Sequence, residues 1–189
     1  CKSDIILRFD TDDINFRERA FFIVSELINT NADIVGSHIY EFIDNPDVFV
    51  NIKYMPQTDG QIKRRILFRN PINHTSVGFW KKSISNLEGG YRDFLFYEDY
   101  DLWIRAVAKG LVFKNIDKKL VAMRISSQRS RRRGLNLISQ EFRLLKTFRK
   151  ISIFYSLFFI PVFLIRSLIA ILPPRISKFL FKNIFRNNI

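Results

Sequence analysis

The chain has 189 residues, 47% of them hydrophobic and 26% charged. That supports one ordinary core with a small appendage and excludes an intrinsically disordered chain. The single cysteine, Cys1, excludes an internal disulfide framework and fits a reducing compartment. The net charge of +13 lies wholly in the last third: acids and bases cancel over residues 1–123, whereas Glu141 is the one acid in residues 124–189. Such asymmetry implies a charge-balanced domain followed by a segment that meets an anionic surface.

Residues 4–9 read as a short buried strand ending in the acidic cluster Asp10-Thr11-Asp12-Asp13. Residues 16–30 set Phe21, Val24, Leu27 and Ile28 at helical spacing. Asn31-Ala32-Asp33 is a turn, residues 34–42 alternate loosely as a strand, and residues 48–54 make a second strand after Asp44-Asn45-Pro46. A basic helix is expected over residues 60–68, stopped near Asn70-Pro71. Residues 75–80 resemble a strand, and Gly89-Gly90 opens a flexible loop. A helix over residues 97–109 is closed by Gly110, and residues 111–113 and 120–123 are two further short strands. Strands and helices thus mix through residues 1–124, which predicts an α/β fold. Because the chain opens on Cys1 inside what reads as a core strand, a fragment lacking an N-terminal part is expected.

Beyond Arg124 the character changes. Residues 126–134 are polar and arginine-rich, and residues 135–150 predict a basic amphipathic helix. Residues 151–165 carry no charge and are interrupted by Pro161; Arg166 and Ser167 break the run, which resumes over 168–174. Residues 176–189 are again basic and amphipathic, with Phe179, Leu180, Ile184 and Phe185 as the apolar face. A membrane-spanning helix needs about 20 apolar residues, and Arg166 at mid-bilayer would cost about 2.5–3.5 kcal/mol. Basic residues flank the run on both sides, against the positive-inside bias for a single span. A helix or hairpin lying in the membrane interface satisfies both constraints and gives the abundant Phe a role. A true span, or burial against a partner or a missing part, are the alternatives.

Asp10, Asp12 and Asp13 at a strand end repel one another unless a cation or water intervenes. A hard divalent ion, Mg²⁺ or Mn²⁺, resolves this by taking one or two carboxylates plus substrate phosphate oxygens, and it neutralises charge on a diphosphate leaving group. The bland alternative is that Asp12 or Asp13 caps the following helix.

The segment Leu7-Arg8-Phe9-Asp10-Thr11-Asp12-Asp13-Ile14, followed by Arg17-Glu18-Arg19, resembles the "M-D-A-D-D-I…P-E-R" segment of glycosyltransferase family 2. Asp33-Ile34-Val35-Gly36-Ser37, running to Glu41-Phe42, is similar to that family's "D-I-V-G-S…E-F" strand. Asn73-His74-Thr75-Ser76-Val77 ahead of Lys81-Lys82 matches its "H-P-S-V-M-F-R-K" stretch. Gly89-Gly90-Tyr91-Arg92 and Glu98-Asp99-Tyr100-Asp101-Leu102-Trp103-Ile104-Arg105 resemble "G-G-Y-R…E-D-Y-D-L-W-L-R". The resemblance spans roughly residues 4–130, and its ordered combination is far more specific than any single piece.

It implies the C-terminal part of a GT-A, Rossmann-like nucleotide-sugar transferase over residues 1–125, followed by a helical, membrane-associated tail over 126–189. The implied reaction is metal-assisted, inverting transfer from a nucleotide-diphosphate sugar to a saccharide acceptor, lipid-linked by analogy, in bacterial surface-polysaccharide synthesis. The implied location is the cytoplasmic face of the cell membrane, on an anionic surface. Asp10 and Asp12 would bind the metal, with Asp13 close by, and Asp99 would be the general base. Helical spacing agrees, since Asp99, Leu102, Trp103, Ala106 and Val107 share one face; capping by Glu98 or Asp99 is the structural alternative. Gly89, Gly90 and Tyr91 would form the acceptor-side loop, beside Glu98. Tyr91 or Trp103 could stack on a sugar, with a core role as the alternative for Trp103. His74 could touch substrate or be structural. Arg124, Arg129 and the run Arg131, Arg132 and Arg133 could reach the diphosphate or form a solvated face.

The family's first strand and its "D-D-G-S" region are absent from the chain, so the 189 residues alone are expected to be unstable or inactive. Rival readings are a membrane- or nucleic-acid-binding module, a two-carboxylate hydrolase, or an inactive remnant. Nucleic acid is not expected, because the basic segment is interleaved with aliphatic runs and lacks stacking platforms.

Overall fold

The structure is a computed structural model that describes residues 2–125 and 134–181. In chain order its elements are β1 (Ile5–Leu7), β2 (Ile14–Asn15), α1 (Arg19–Asn29), β3 (Ile34–Phe42), β4 (Phe49–Lys53) and α2 (Asp59–Arg65). After a 3₁₀ turn (His74–Ser76) come β5 (Gly78–Trp80), α3 (Lys81–Ser85), α4 (Glu98–Ala108) and β6 (Phe113–Arg124). The remaining helices are α5 (Gly134–Ile151), α6 (Ile153–Ile171) and α7 (Pro174–Phe181). The fold is mixed α/β, as the sequence predicts.

The strands form one six-stranded sheet in the order β1-β5-β3-β6-β2, with β4 paired to β3. β3 and β6 run parallel along the whole of β3, and every other pairing is antiparallel. Adjacent side chains at the start of β3 enter two different apolar clusters, as expected of a pleat covered on both faces. Ile34 joins a large cluster with Ile62 of α2, Trp103 of α4 and Phe113 of β6. Val35 joins a smaller one with Ile23 and Leu27 of α1.

Three elements depart from expectation. α1 buries Arg19, Ile23 and Leu27, while Phe21 and Ile28 point to solvent. The phase is set by Gly78 in β5, where a Cβ would collide with the Ile23 side chain and with Leu7 Cδ2 at 2.6 Å. The two short strands expected over 111–113 and 120–123 are one strand, β6, whose register against β3 shifts beside His38 and so accommodates the polar stretch Asp117-Lys118-Lys119. Residues 75–80 are split between the 3₁₀ turn and β5.

The helices after residue 134 are not peripheral to this core. Leu144 and Phe148 of α5 and Phe159 and Val162 of α6 are buried within the large cluster. Arg166, which breaks the apolar run in the sequence, sits inside: its Nη1 donates to both carboxylate oxygens of Glu141 at 3.2 Å, and its Nη2 donates to the Phe68 carbonyl at 3.0 Å. Glu141 also accepts from the Tyr97 hydroxyl at 2.6 Å. Paired and hydrogen-bonded in this way, a buried charge is tolerable. α6 is long and apolar enough to cross a membrane by length and composition, which is weak evidence for membrane association.

Candidate active site

The acidic turn follows β1. The Arg8 amide donates to the Val77 carbonyl at 3.0 Å, and the Asp13 amide closes the turn onto the Asp10 carbonyl at 3.3 Å. Beneath it lies Arg19, 1% exposed. Its Nη2 donates to the carbonyls of Arg8 at 2.5 Å and Val77 at 3.3 Å, and its Nη1 donates to Asn15 Oδ1. Burial pushes the Arg19 guanidinium down to about 10, opposed by the charges of Asp10 and Asp13, so it stays protonated at neutral pH.

The three carboxylates of the turn differ in setting. Asp10 is half-buried and accepts from Arg8 Nε at 3.1 Å, and Asp12 is exposed. Asp13 Oδ1 accepts from the Arg124 amide at 2.8 Å, and the buried carboxylate also interacts with the Thr75 hydroxyl. Burial, together with the charges of Asp12 and Asp10, pushes the Asp13 carboxyl up to about 6 despite the Arg124 bond. Among the described residues no three His, Cys, Asp or Glu side chains converge on a point. A cation held by this turn would complete its shell with oxygens from beyond the described residues, and the exposed Asp12 beside the half-buried Asp10 is chemically suited to that arrangement.

Asp99 stands in the first turn of α4. Its Oδ2 accepts from Asn70 Nδ2 at 2.6 Å and lies 3.7 Å from His74 Nδ1. Asn70 is held in that sense because its Oδ1 accepts from the Ile72 amide at 3.1 Å, leaving the NH₂ to face Asp99. The His74 ring meets the Tyr91 ring edge-on at 5.7 Å, and the Arg8 guanidinium lies 5.4 Å from the Tyr91 centroid. Asp10, Arg8, Tyr91, His74 and Asp99 thus form an unbroken chain of contacts from the acidic turn to α4. Burial and the Arg8 charge push His74 down to about 4, against Asp10 and Glu98, which raise it. At neutral pH the imidazole is uncharged.

The loop through Gly89 and Gly90 takes left-handed backbone at both glycines, φ 75° and 47°. The sequence reads this loop as flexible. Arg105 of α4 holds two of its carbonyls, donating from Nη1 to the Glu88 carbonyl at 3.0 Å and from Nη2 to the Gly90 carbonyl. Arg105 is itself held by the fully buried Asp101, whose Oδ2 accepts from its Nε at 2.8 Å and whose Oδ1 accepts from the Thr147 hydroxyl of α5 at 2.8 Å. Tyr91 is thereby presented on a braced support.

Two expected site residues lie elsewhere. Trp103 is fully buried against Phe113 at 90°, so it is a core residue and cannot stack on a sugar. One helical turn beyond Asp99 carries the chain below the surface. The Arg124 guanidinium turns away from the acidic turn, donating to the Ile43 carbonyl at 3.2 Å and covering the Phe42 ring at 4.8 Å; only its backbone serves Asp13. Glu98 sits beside Asp99, half-buried. Arg129, Arg131, Arg132 and Arg133, like Ile184 and Phe185, lie outside the described residues. The sequence reading missed Arg8, Asn70, Asp101 and Arg105 as site residues; the i,i+4 spacing of Asp101 and Arg105 was the one local signal available.

No family model matches the chain. It is 32% identical over 193 residues to the UDP-Gal:alpha-D-GlcNAc-diphosphoundecaprenol beta-1,3-galactosyltransferase of Escherichia coli, covering 98% of this chain and 68% of that one. It is 34% identical to an uncharacterized glycosyltransferase of Haemophilus influenzae, covering 98% and 69%. The chain belongs to the bacterial surface-polysaccharide glycosyltransferases. This glycosyltransferase is also 28% identical to the amylovoran biosynthesis glycosyltransferase AmsE of Erwinia amylovora, covering 96% and 68%. All three matches run through the acidic turn, the 3₁₀ turn and α4, so the whole contact chain of the glycosyltransferase lies within the shared region.

Proposed function

We propose that this glycosyltransferase, a GT-A enzyme, moves a sugar from a nucleotide-diphosphate donor to a lipid-linked saccharide at the cytoplasmic face of the membrane, with inversion at the anomeric carbon. The observation that carries the reading is the contact chain from Asp10 through Arg8, Tyr91 and His74 to Asp99, which brings the acidic turn and a candidate base to one locus. The lipid-linked acceptor is taken from the Escherichia coli relative, whose name specifies one.

Asp99 accepts the proton of the acceptor hydroxyl as that oxygen bonds to the anomeric carbon, and the bond to the nucleoside diphosphate breaks. Asn70 fixes the rotamer of Asp99, so the carboxylate meets the hydroxyl without searching for it. Neutral His74 lines the site without adding a cation that would hold the transferred proton's destination in an ion pair. Tyr91 offers an aromatic face to the acceptor sugar. Asp10 and Asp12 would hold Mg²⁺ or Mn²⁺, which when bound offsets the charge that builds on the departing diphosphate.

The test is transfer from a panel of nucleotide sugars to a prenyl-diphosphate-linked GlcNAc, with and without chelator. Asp99→Asn is expected to lower kcat by about 10²–10⁴-fold with donor affinity kept, and Asp10→Asn with Asp12→Asn to weaken donor and metal dependence together. Unchanged turnover in Asp99→Asn sinks the assignment of the base; full activity in chelator sinks the metal.

A further inference from the structure

Between α2 and α6 lies a cavity of about 1100 Å³ that the contact chain does not use. One wall carries Arg64, Arg65 and Arg69, and the other carries Phe158, Val162 and Ile165 of α6. Among the described residues no Asp or Glu lines it. The last turn of α2 is basic throughout, with Lys63 beside Arg64 and Arg65. Arg65 is half-buried, its Nη2 is shut off from solvent, and that nitrogen has no hydrogen-bond partner among the described residues. A guanidinium desolvated in this way, next to a second one, is costly unless an anion meets it. Burial also pushes Arg65 below the usual arginine range, with no acid opposing the shift.

The opposite wall says what kind of anion. α6 leaves Phe154, Leu157, Phe158, Ile165 and Leu168 exposed, an apolar strip continuous with the cavity wall. A free phosphate or a nucleotide has no use for such a wall; an anion with a long hydrocarbon tail does. Arg69 on the cavity wall is followed in the chain by Asn70, whose amide holds Asp99. The far side is tied to the same rim, since Arg166 of α6 donates to the Phe68 carbonyl at 3.0 Å. A diphosphate seated here would carry its sugar toward Asp99 and its tail along α6.

We infer that the groove between α2 and α6 is the acceptor's lipid-diphosphate seat, with Arg64 and Arg65 gripping the diphosphate and the α6 wall holding the first isoprene units. This rests on the lipid-linked acceptor reading above. The groove commits the enzyme to acceptors in which a prenyl chain and a sugar are joined by a diphosphate, and it discriminates against ordinary anionic phospholipids, whose headgroup lacks the second phosphate.

Two measurements on the full chain in detergent micelles test it separately from transfer. The first is binding of farnesyl diphosphate, with inorganic diphosphate, farnesol and phosphatidylglycerol as competitors. Saturable binding is expected, with farnesyl diphosphate at least about tenfold tighter than any competitor, and weakened at least about thirtyfold by Arg64→Gln with Arg65→Gln. Lys109→Gln, an exposed charge elsewhere, is the control and should bind as wild type. The second is the KM for a prenyl-diphosphate-linked GlcNAc against an octyl glycoside of GlcNAc: the double variant should raise the first far more than the second, with donor KM unchanged.

No farnesyl diphosphate binding, equal binding by wild type and double variant, or equal competition by phosphatidylglycerol each overturns the groove. If binding depends on the two arginines and yet no lipid-linked acceptor is glycosylated, the groove stands and the proposed reaction fails. If the lipid-linked acceptor is used with the same KM by wild type and double variant, the reaction stands and the groove fails.

Discussion

Asn70 holds Asp99 from a segment 29 residues away, its Nδ2 2.6 Å from Oδ2, while its own carbonyl oxygen is occupied by the Ile72 amide. The carboxylate therefore has one direction fixed before any substrate arrives. Asn70→Ala is expected to lower kcat by about 10- to 100-fold with little change in donor KM, because a loosened base reaches the hydroxyl less often. Steady-state kinetics with thermal melts separates this from unfolding. Asn70→Asp should be worse, since it sets a second carboxylate against the first.

His74 supplies a pH signature. Its pKa is pushed from 6.5 down to about 4 by burial and by Arg8. The unfolded chain therefore takes up a proton near pH 6.5 that the folded chain refuses until about pH 4, and stability falls as pH drops through that window. The loss approaches roughly 3 kcal/mol at the acid end. Urea denaturation from pH 7 to 4 should show a steeper decline for wild type than for His74→Gln; parallel curves would falsify the assignment.

Tyr91 and Trp103 should part company. Trp103→Ala opens a large void between α4 and β6 and is expected to cost about 3–5 kcal/mol of stability. Tyr91→Ala, on a partly exposed ring, should leave the melting temperature within a few degrees and raise the acceptor KM. A stable Trp103→Ala with a raised acceptor KM would return Trp103 to the site.

Glu141 and Arg166 are 1% and 6% exposed and face each other between α5 and α6. Arg166→Met strands Glu141 in an apolar setting and is expected to cost about 3–5 kcal/mol, whereas Arg166→Met with Glu141→Gln should recover much of that. A double-mutant cycle by chemical denaturation reads the coupling.

Much of this architecture was legible along the chain because it follows local rules. β3 and α4 show their periods, and Gly110 ends α4 with φ 76°, as a glycine after a helix should. The acidic turn announced itself as charge placed where charge is costly, and Asp99 stood out through the resemblance that its motif carries. What escaped was non-local. Arg166 reads as a penalty in an apolar run until Glu141, 25 residues earlier, is brought against it. Trp103 lies on the same helical stripe as Asp99, and only packing depth distinguishes a rim position from a core one. Asn70 carries no chemistry of its own, so nothing short of the tertiary contact reveals it. β6 looked broken because Asp117-Lys118-Lys119 interrupt its apolar residues, whereas the shifted register leaves Asp117 and Lys118 exposed within a continuous strand.

Arg19 has a mechanical consequence. β1 is three residues long and stands at the margin of the sheet, so its own ladder is a weak anchor for the turn that follows. The Arg19 guanidinium rivets that turn from below, binding the Arg8 carbonyl before it, the Val77 carbonyl beside Arg8, and the Asn15 side chain after it. Since Arg19 opens α1, the acidic turn rides with that helix as one stiff piece, and any displacement of α1 across the sheet would carry Asp10 and Asp12 with it.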